Sequence, residues 1–200
     1  MTQRICLLGA GGLGREIQAW LDEHVVGFVD TRDEMQGKEV AGLPILGRPE
    51  DVPIADGLSF LCAVGSPRIK RLLVAGILAR GGHMLALPPR MLGARSEFGV
   101  SCAFDGVRVS PDCRVADYVH LSAGVVVGHD SEIGAYCHIG EGVFIGGECR
   151  IEEDVVIHPR ACISRGVVIG KGAEIGLGAV VLRDVPAEAV MVGNPARRVG

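Results

Sequence analysis

Aromatic side chains are scarce in this chain: one tryptophan, two tyrosines and five phenylalanines among 200 residues. A core built on large rings is excluded, so small branched side chains must do the filling. No apolar run approaches the roughly 18–20 residues of a membrane-spanning helix. The opening MTQRICLLGAGG runs straight into glycines and lacks the architecture of a signal peptide. Basic charge is not in excess. A net charge of −4 argues against a broad electrostatic footprint for nucleic acid or an anionic membrane. Seven cysteines are present, at 6, 62, 102, 113, 137, 149 and 162, with no CxxC among them. An odd set without paired spacing favours buried, reduced thiols in a cytoplasmic protein over zinc or a disulfide framework.

Glycine is abundant instead, 30 residues, about twice the usual share of roughly 7%. Many of these glycines fall in a repeat. Every sixth residue from Val109 is a branched aliphatic: Val109, Val115, Leu121, Val127, Ile133, Ile139, Ile145, Ile151, Ile157, Ile163, Ile169, Ile175 and Val181. Four residues on from each, the side chain is small or β-branched, as at Cys113, Val119, Val125, Ser131, Cys137 and Val143. A period of six fits neither an α-helix nor a hairpin meander and predicts a parallel β-helix of hexapeptide repeats. Each hexad lays one flat side and turns a corner. Three sides close a coil of about eighteen residues, and successive coils stack roughly 4.7–4.9 Å apart.

The first ninety residues have another rhythm. Strands are expected at 4–9, 25–29, 43–46, 59–64 and 83–87, with helices at 15–24 and 67–80. Alternation of this kind predicts a small Rossmann-like α/β unit with a parallel sheet. The chain is therefore read as two domains, 1–90 and 91–200, with a linker and cap at 91–106.

Gly9, Gly11 and Gly14 have the GxGxxG spacing, directly after a strand and opening a helix, and Asp30 lies about twenty residues on. Glycines let a backbone approach a diphosphate, and the helix N-terminus favours its negative charge. Asp30 at the end of the second strand would accept hydrogen bonds from a ribose or base. Ninety residues make only half of a dinucleotide fold, so a nucleotide diphosphate is favoured over NAD. The competing reading is a tight strand–helix turn with no ligand.

Six histidines can be placed individually. His120 and His138 are one coil apart and precede inward aliphatics, so both should stack on one side and point outward. His129 is followed by Asp130 at a corner, the arrangement in which a carboxylate orients an imidazole acting as general base. The His120/His138 pair could alternatively hold a metal, but zinc needs three or four ligands. Arg165, Lys171, Arg183, Arg197 and Arg198 fit either ligand phosphates or a solvated surface.

Longer motifs carry a resemblance. LLGAGGLGREI at 7–17, GFVDTRDEMQGKEVAGLPILG at 27–47, AVGSPRIKRLL at 63–73, VVGHDSEIGAYCHIGEG at 126–142 and VGNPARRV at 192–199, in that order, resemble the sugar O-acyltransferase family that contains sialic acid O-acetyltransferases and the UDP-bacillosamine N-acetyltransferase. The resemblance spans nearly the whole chain. It implies a left-handed β-helix, a homotrimer, and acetyl-CoA as co-substrate with no metal. By motif, His129 corresponds to the catalytic base and Asp130 to the acid behind it. His138, Gly147, Pro159 and Leu177 correspond to positions lining acetyl-CoA. Gly11, Gly12, Leu13, Asp30, Thr31 and Gly65 correspond to positions against the nucleotide sugar. Three positions depart from the pattern. Leu13 stands where histidine is common in the bacillosamine enzyme, Thr31 where a second acid is frequent, and His158-Pro159 where a glycine-containing corner is usual.

The resulting expectation is direct N-acetylation of a nucleotide-linked amino sugar, without a covalent intermediate. Three alternatives stay open: O-acetylation of a free sugar such as sialic acid, a non-catalytic nucleotide-binding β-helix scaffold, and a metal-dependent hydratase of γ-carbonic-anhydrase type. The partners expected are the nucleotide sugar and two further copies of the chain.

Overall fold

The computed structural model describes residues 4–199 and divides into two compact units after Leu85. The first unit begins with β1 (Arg4–Leu8), α1 (Gly12–Leu21) and β2 (Val25–Val29). It continues with β3 (Glu39–Val40), β4 (Leu43–Gly47), β5 (Leu58–Cys62), α2 (Pro67–Leu78) and β6 (His83–Met84). The sheet order is β3-β4-β2-β1-β5-β6, parallel throughout except for the β3/β4 hairpin. Strand β1 is central, so its C-terminal end is where the order switches direction, the customary position for a ligand crevice in such sheets.

Helix α1 starts three residues before the expected 15 and ends at Leu21, followed by one 3₁₀ turn. Its helical glycines mislead propensity, because tertiary packing overrides their intrinsic cost. A β-carbon on Gly14 would come within 2.1 Å of the Gly9 carbonyl oxygen, so only glycine lets the helix sit this close to the turn. Gly9 itself has φ +111°. The last strand is also shorter than expected: β6 ends at Met84, and Leu87 pairs with Cys102 in the second unit.

The second unit is a parallel β-helix with three faces. Two-residue strands pair with the strand one coil on: Val126–Val127 with Phe144–Ile145 on the first face, Glu132–Ile133 with Arg150–Ile151 on the second, His138–Ile139 with Val156–Ile157 on the third. Every sixth-residue aliphatic from Val109 to Val181 is buried, and so is the small column four residues on. At roughly 1.5–3 kcal/mol for each fully buried aliphatic, this spine dominates the unit's stability.

The segment 91–106 is the first coil rather than a linker and cap. Met91–Leu92, Glu97–Phe98 and Cys102–Ala103 pair with the three strands of the next coil. Leu92 and Phe98 are six apart but Phe98 and Ala103 only five, and that missing residue breaks the count on which the repeat was recognised. Cys162 is a second departure. It lies exposed on the first face, whereas Cys6, Cys102, Cys113, Cys137 and Cys149 are buried as expected.

Candidate active site

The corner between the first and second faces repeats once per coil. Arg95, Asp112, Asp130 and Glu148 occupy it on successive coils, all with φ near +60°. Backbone bonds tie the turns together: Asp112 N–H donates to Ala94 (3.1 Å), Asp130 N–H to Pro111 (3.2 Å) and Glu148 N–H to His129 (2.7 Å). His129 projects from this ladder. Its Nδ1 lies 2.6 Å from Asp130 Oδ2, and the two side chains are 54% and 55% exposed. In the tautomer whose Nδ1–H donates to Asp130, Nε2 is an acceptor nitrogen on a half-exposed imidazole, the form in which the ring can serve as a general base. Gly147, one coil on, gives the ring its seat: a β-carbon there would meet Nε2 at 2.7 Å and Cε1 at 2.8 Å.

The remaining positions expected to line acetyl-CoA lie elsewhere on the prism. His138 is on the third face, stacked on His120 at 4.9 Å between ring centroids and 19° between planes. Phe104 covers the far side of His120, also at 4.9 Å. His120 is thus 2% exposed rather than outward in solvent. Stacked rings do not converge their nitrogens on a point, and among the described residues no three His, Cys, Asp or Glu side chains cluster to hold a metal ion. Pro159 and Leu177 share the corner between the third and first faces, joined by the Gly178 N–H to Pro159 carbonyl bond of 3.0 Å. Leu177 is 72% exposed. Beside them His158 Nε2 lies 2.7 Å from Glu174 Oε1. One prism therefore joins Gly147 to His129 and leaves His138, Pro159 and Leu177 on other sides.

The buried cysteines are poor candidates for a nucleophile. Burial pushes the Cys6 thiol up to about 12 and raises Cys113 and Cys149 as well. The last two donate to the carbonyls of Gly128 and Ser164, each at 3.1 Å, and so pin the corners next to the site.

In the first unit, Gly11–Leu13, Asp30, Thr31 and Gly65 gather at the C-terminal edge of the sheet, on the turn from β1 into α1 and on the loops after β2 and β5. Gly9 N–H donates to Val29 (2.8 Å) and Ala63 N–H to Leu8 (2.9 Å), locking these loops side by side. The four glycines of the first loop then separate into two kinds. Gly9 and Gly14 are demanded by packing, whereas a β-carbon on Gly11 or Gly12 would meet nothing within 4 Å. The latter two leave open space at the N-terminus of α1, where backbone amides face outward.

Asp30 is 4% exposed. Its Oδ2 accepts from Ala10 N–H (3.0 Å) and Arg32 Nη2 (2.8 Å), and its Oδ1 from Arg32 N–H (3.0 Å) and Nε (2.9 Å). Burial works to raise its pKa, but the Arg32 guanidinium and the two backbone donors outweigh it and hold the carboxyl below its usual range. All four of its acceptor directions are spent on Ala10 and Arg32. Asp30 thus ties the glycine loop to the loop after β2 and fixes a half-exposed guanidinium beside it. The sequence reading missed Arg32. It also missed Asp112 and Glu148, although the eighteen-residue spacing that paired His120 with His138 also relates 112, 130 and 148.

A sheet of α/β topology with an open glycine turn, joined to a hexapeptide β-helix bearing a His–Asp pair, defines the class. Comparison with known proteins agrees. Residues 4–77 match the PglD N-terminal domain, and residues 112–147 and 148–183 match the bacterial transferase hexapeptide. The acetyltransferase domain of PglB from Neisseria gonorrhoeae has a TM-score of 0.86 at 27% identity, covering 98% of this chain and 100% of that one. PerB from Caulobacter crescentus, crystallised with CoA and GDP-perosamine, has a TM-score of 0.82 at 25% identity, covering 98% and 97%. The serine acetyltransferase of Bacillus licheniformis is 32% identical over 128 residues, and the match spans 59% of each chain. The chain thus combines a PglD-type N-terminal domain with the left-handed β-helix of the hexapeptide-repeat transferases.

Proposed function

We propose that this protein is an acetyl-CoA-dependent N-acetyltransferase acting on a nucleotide-linked amino sugar. The observation that carries the reading is the His129–Asp130 pair, with its acceptor nitrogen on a half-exposed corner. It is supported by an open glycine turn in a separate nucleotide-type unit and by the likeness to PerB, which was crystallised with CoA and GDP-perosamine. Gly11, Gly12 and Leu13 would take the diphosphate, Thr31 and Gly65 would flank the nucleoside, and Asp30 would act through Arg32.

The chemistry is a direct transfer. The amine nitrogen attacks the thioester carbonyl while Nε2 of His129 takes its proton, and Asp130 stabilises the imidazolium that forms. The tetrahedral adduct collapses with cleavage of the C–S bond, and the proton passes from His129 to the departing thiolate. Holding the two substrates together supplies much of the acceleration.

The working unit is a homotrimer in this reading. His129 stands at the corner opposite the face that carries His138, so a site using both takes His129 from one copy and His138 from a neighbour. Apolar side chains on the first face, Met91 and Phe144 among them, are exposed and suit such contact. A cytoplasmic reaction is part of this reading, and the free thiols of the described cysteines support it.

The test is thiol release from acetyl-CoA with UDP-, GDP- and dTDP-linked amino sugars, run beside His129→Ala. Turnover with one nucleotide sugar that the substitution abolishes supports the reading and names the substrate. Turnover only with free sugars would make the protein an O-acetyltransferase, and failure to bind CoA at all would leave a scaffold.

A further inference from the structure

Three carboxylates stand in register along the corner that carries His129. Asp112, Asp130 and Glu148 occupy equivalent left-handed turns on successive coils, roughly 4.7–4.9 Å apart by the spacing of paired strands. Left to themselves, three like charges at that spacing repel one another, and all three would act on the imidazole. The outer two are engaged from the far side. Arg95, one coil before Asp112, grips it with both ends of its guanidinium, Nε to Oδ1 and Nη2 to Oδ2, each at 2.6 Å. Arg165, one coil beyond Glu148, donates its Nη2 to Glu148 Oε1. The middle acid pairs with His129 instead. The order along the corner is cation, anion, the His129–Asp130 pair, anion, cation.

We propose that Arg95 and Arg165 are positioning residues of the His129 site, each withdrawing one flanking carboxylate so that Asp130 alone governs the imidazole. The inference rests on the general-base reading given above. The guanidinium of Arg95 holds Asp112 below the usual carboxylate range, and that of Arg165 does the same to Glu148. Both acids also feel His129 through space. Glu97, Arg114 and Glu132 line a cavity of about 290 Å³ together with Arg95, Asp112 and Asp130. Arg114 lies between the two glutamates, 3.4 Å from Glu97 and in register with Glu132, and Arg150 is in register with Glu132 from the next coil, so two cations stand beside the two glutamates.

The sign of the effect follows from charge. Arg165→Ala leaves Glu148 unopposed and makes the corner more negative, so His129 keeps its proton to higher pH. The acid limb of the pH profile of kcat/KM then moves up, by about half a pH unit for an exposed neighbouring charge. Glu148→Gln leaves Arg165 unopposed and moves the limb down by a similar amount. The double substitution removes both charges and brings the limb back towards that of the parent. Arg95→Ala and Asp112→Asn form a second cycle with the same signs. The displacements shrink at 1 M salt, where screening length falls to about 3 Å.

The experiment is the pH profile of kcat/KM for the parent, the two single variants at 165 and 148 and their double, together with the NMR titration of the His129 ring, assigned by its loss in His129→Ala. Opposite displacements in the singles with return in the double are the expected result. A structural role alone would lower stability and turnover in both singles without moving the limb in opposite directions. Limbs and ring titrations that stay fixed, or move the same way in both, would overturn the inference. The ring titration separates this from the base assignment. If it moves as expected while His129→Ala retains full turnover, the charge arrangement stands and the base assignment falls. If it does not move while His129→Ala is inactive, the reverse holds.

Discussion

The imidazole of His129 lies across the α-carbon of Gly147, one coil on, so closely that a β-carbon there would reach 2.7 Å from Nε2. The ring's placement is therefore set from two sides, by the Asp130 carboxylate at Nδ1 and by an absent side chain beneath. Gly147→Ala should lower kcat/KM about 10–100-fold, since displacing a reacting group by about 1 Å costs on that order. Its melting temperature should stay near that of the parent, because the ring is half exposed and free to swing away. A large loss of stability with kcat preserved would contradict this account.

The glycines of the first loop should separate in the same way by experiment. Gly14→Ala forces a β-carbon into the Gly9 carbonyl and should unfold or severely destabilise the first unit. Gly12→Ala meets no obstacle within the chain and should leave stability unchanged or raise it by up to about 1 kcal/mol through helix propensity. It should nonetheless weaken nucleotide-sugar binding, measured by calorimetry, if ligand backbone contact is what the open space serves.

Asp30 gives the first unit a pH dependence of definite sign. Its carboxyl is held below the ordinary range in the folded state, so its contribution is present in full above about pH 4 and lost as pH falls through the folded value. Asp30→Asn should remove that acid-side slope from the unfolding curve. At neutral pH it should cost on the order of 1.5–3 kcal/mol, the worth of a hydrogen bond to a charged group. Thermal melts of both proteins between pH 3 and 7 would check both parts.

Subunit complementation tests the proposal that two copies share a site. His129→Ala and His138→Ala should each lose most of their activity, His129→Ala by about 10²–10⁴-fold. Mixed, unfolded together and refolded, they should regain a measurable fraction, because some sites then combine an intact His129 with an intact His138 from different copies. A mixture as inactive as its components would show that both residues serve from one chain.

In the spine, Ile139→Ala removes a fully buried side chain and should cost about 2–5 kcal/mol. Denaturant unfolding would measure it.

The β-helix was legible because its period depends on side-chain direction alone: each aliphatic from Val109 to Val181 must point inward, whatever surrounds the prism. The first coil was not, since one residue missing between Phe98 and Ala103 destroys the count while the backbone pairing absorbs it. His129 and Asp130 are neighbours in sequence, so their pairing could be read directly. The seat provided by Gly147 could not, because it depends on how a ring lies across a coil boundary. Asp30 shows a different gap. Its position at the end of β2 was recognised, but a carboxylate's capacity is shared among all donors in reach, and Arg32 and Ala10 had claimed it first.

The third face of the prism finishes on a strand that runs the other way. A stack of identical parallel rungs is a growing template, since its last rung presents the same unpaired edge as every rung before it. On the third face the chain doubles back. Val190–Val192 adds in parallel, and Arg197–Val199 then pairs with it antiparallel, bringing two exposed arginines to the rim. An incoming coil would meet a strand of the wrong direction, with charge where the interior needs aliphatics. On this face the hairpin thus replaces a parallel template by an antiparallel edge strand bearing charge, which disfavours pairing with the rung of another prism.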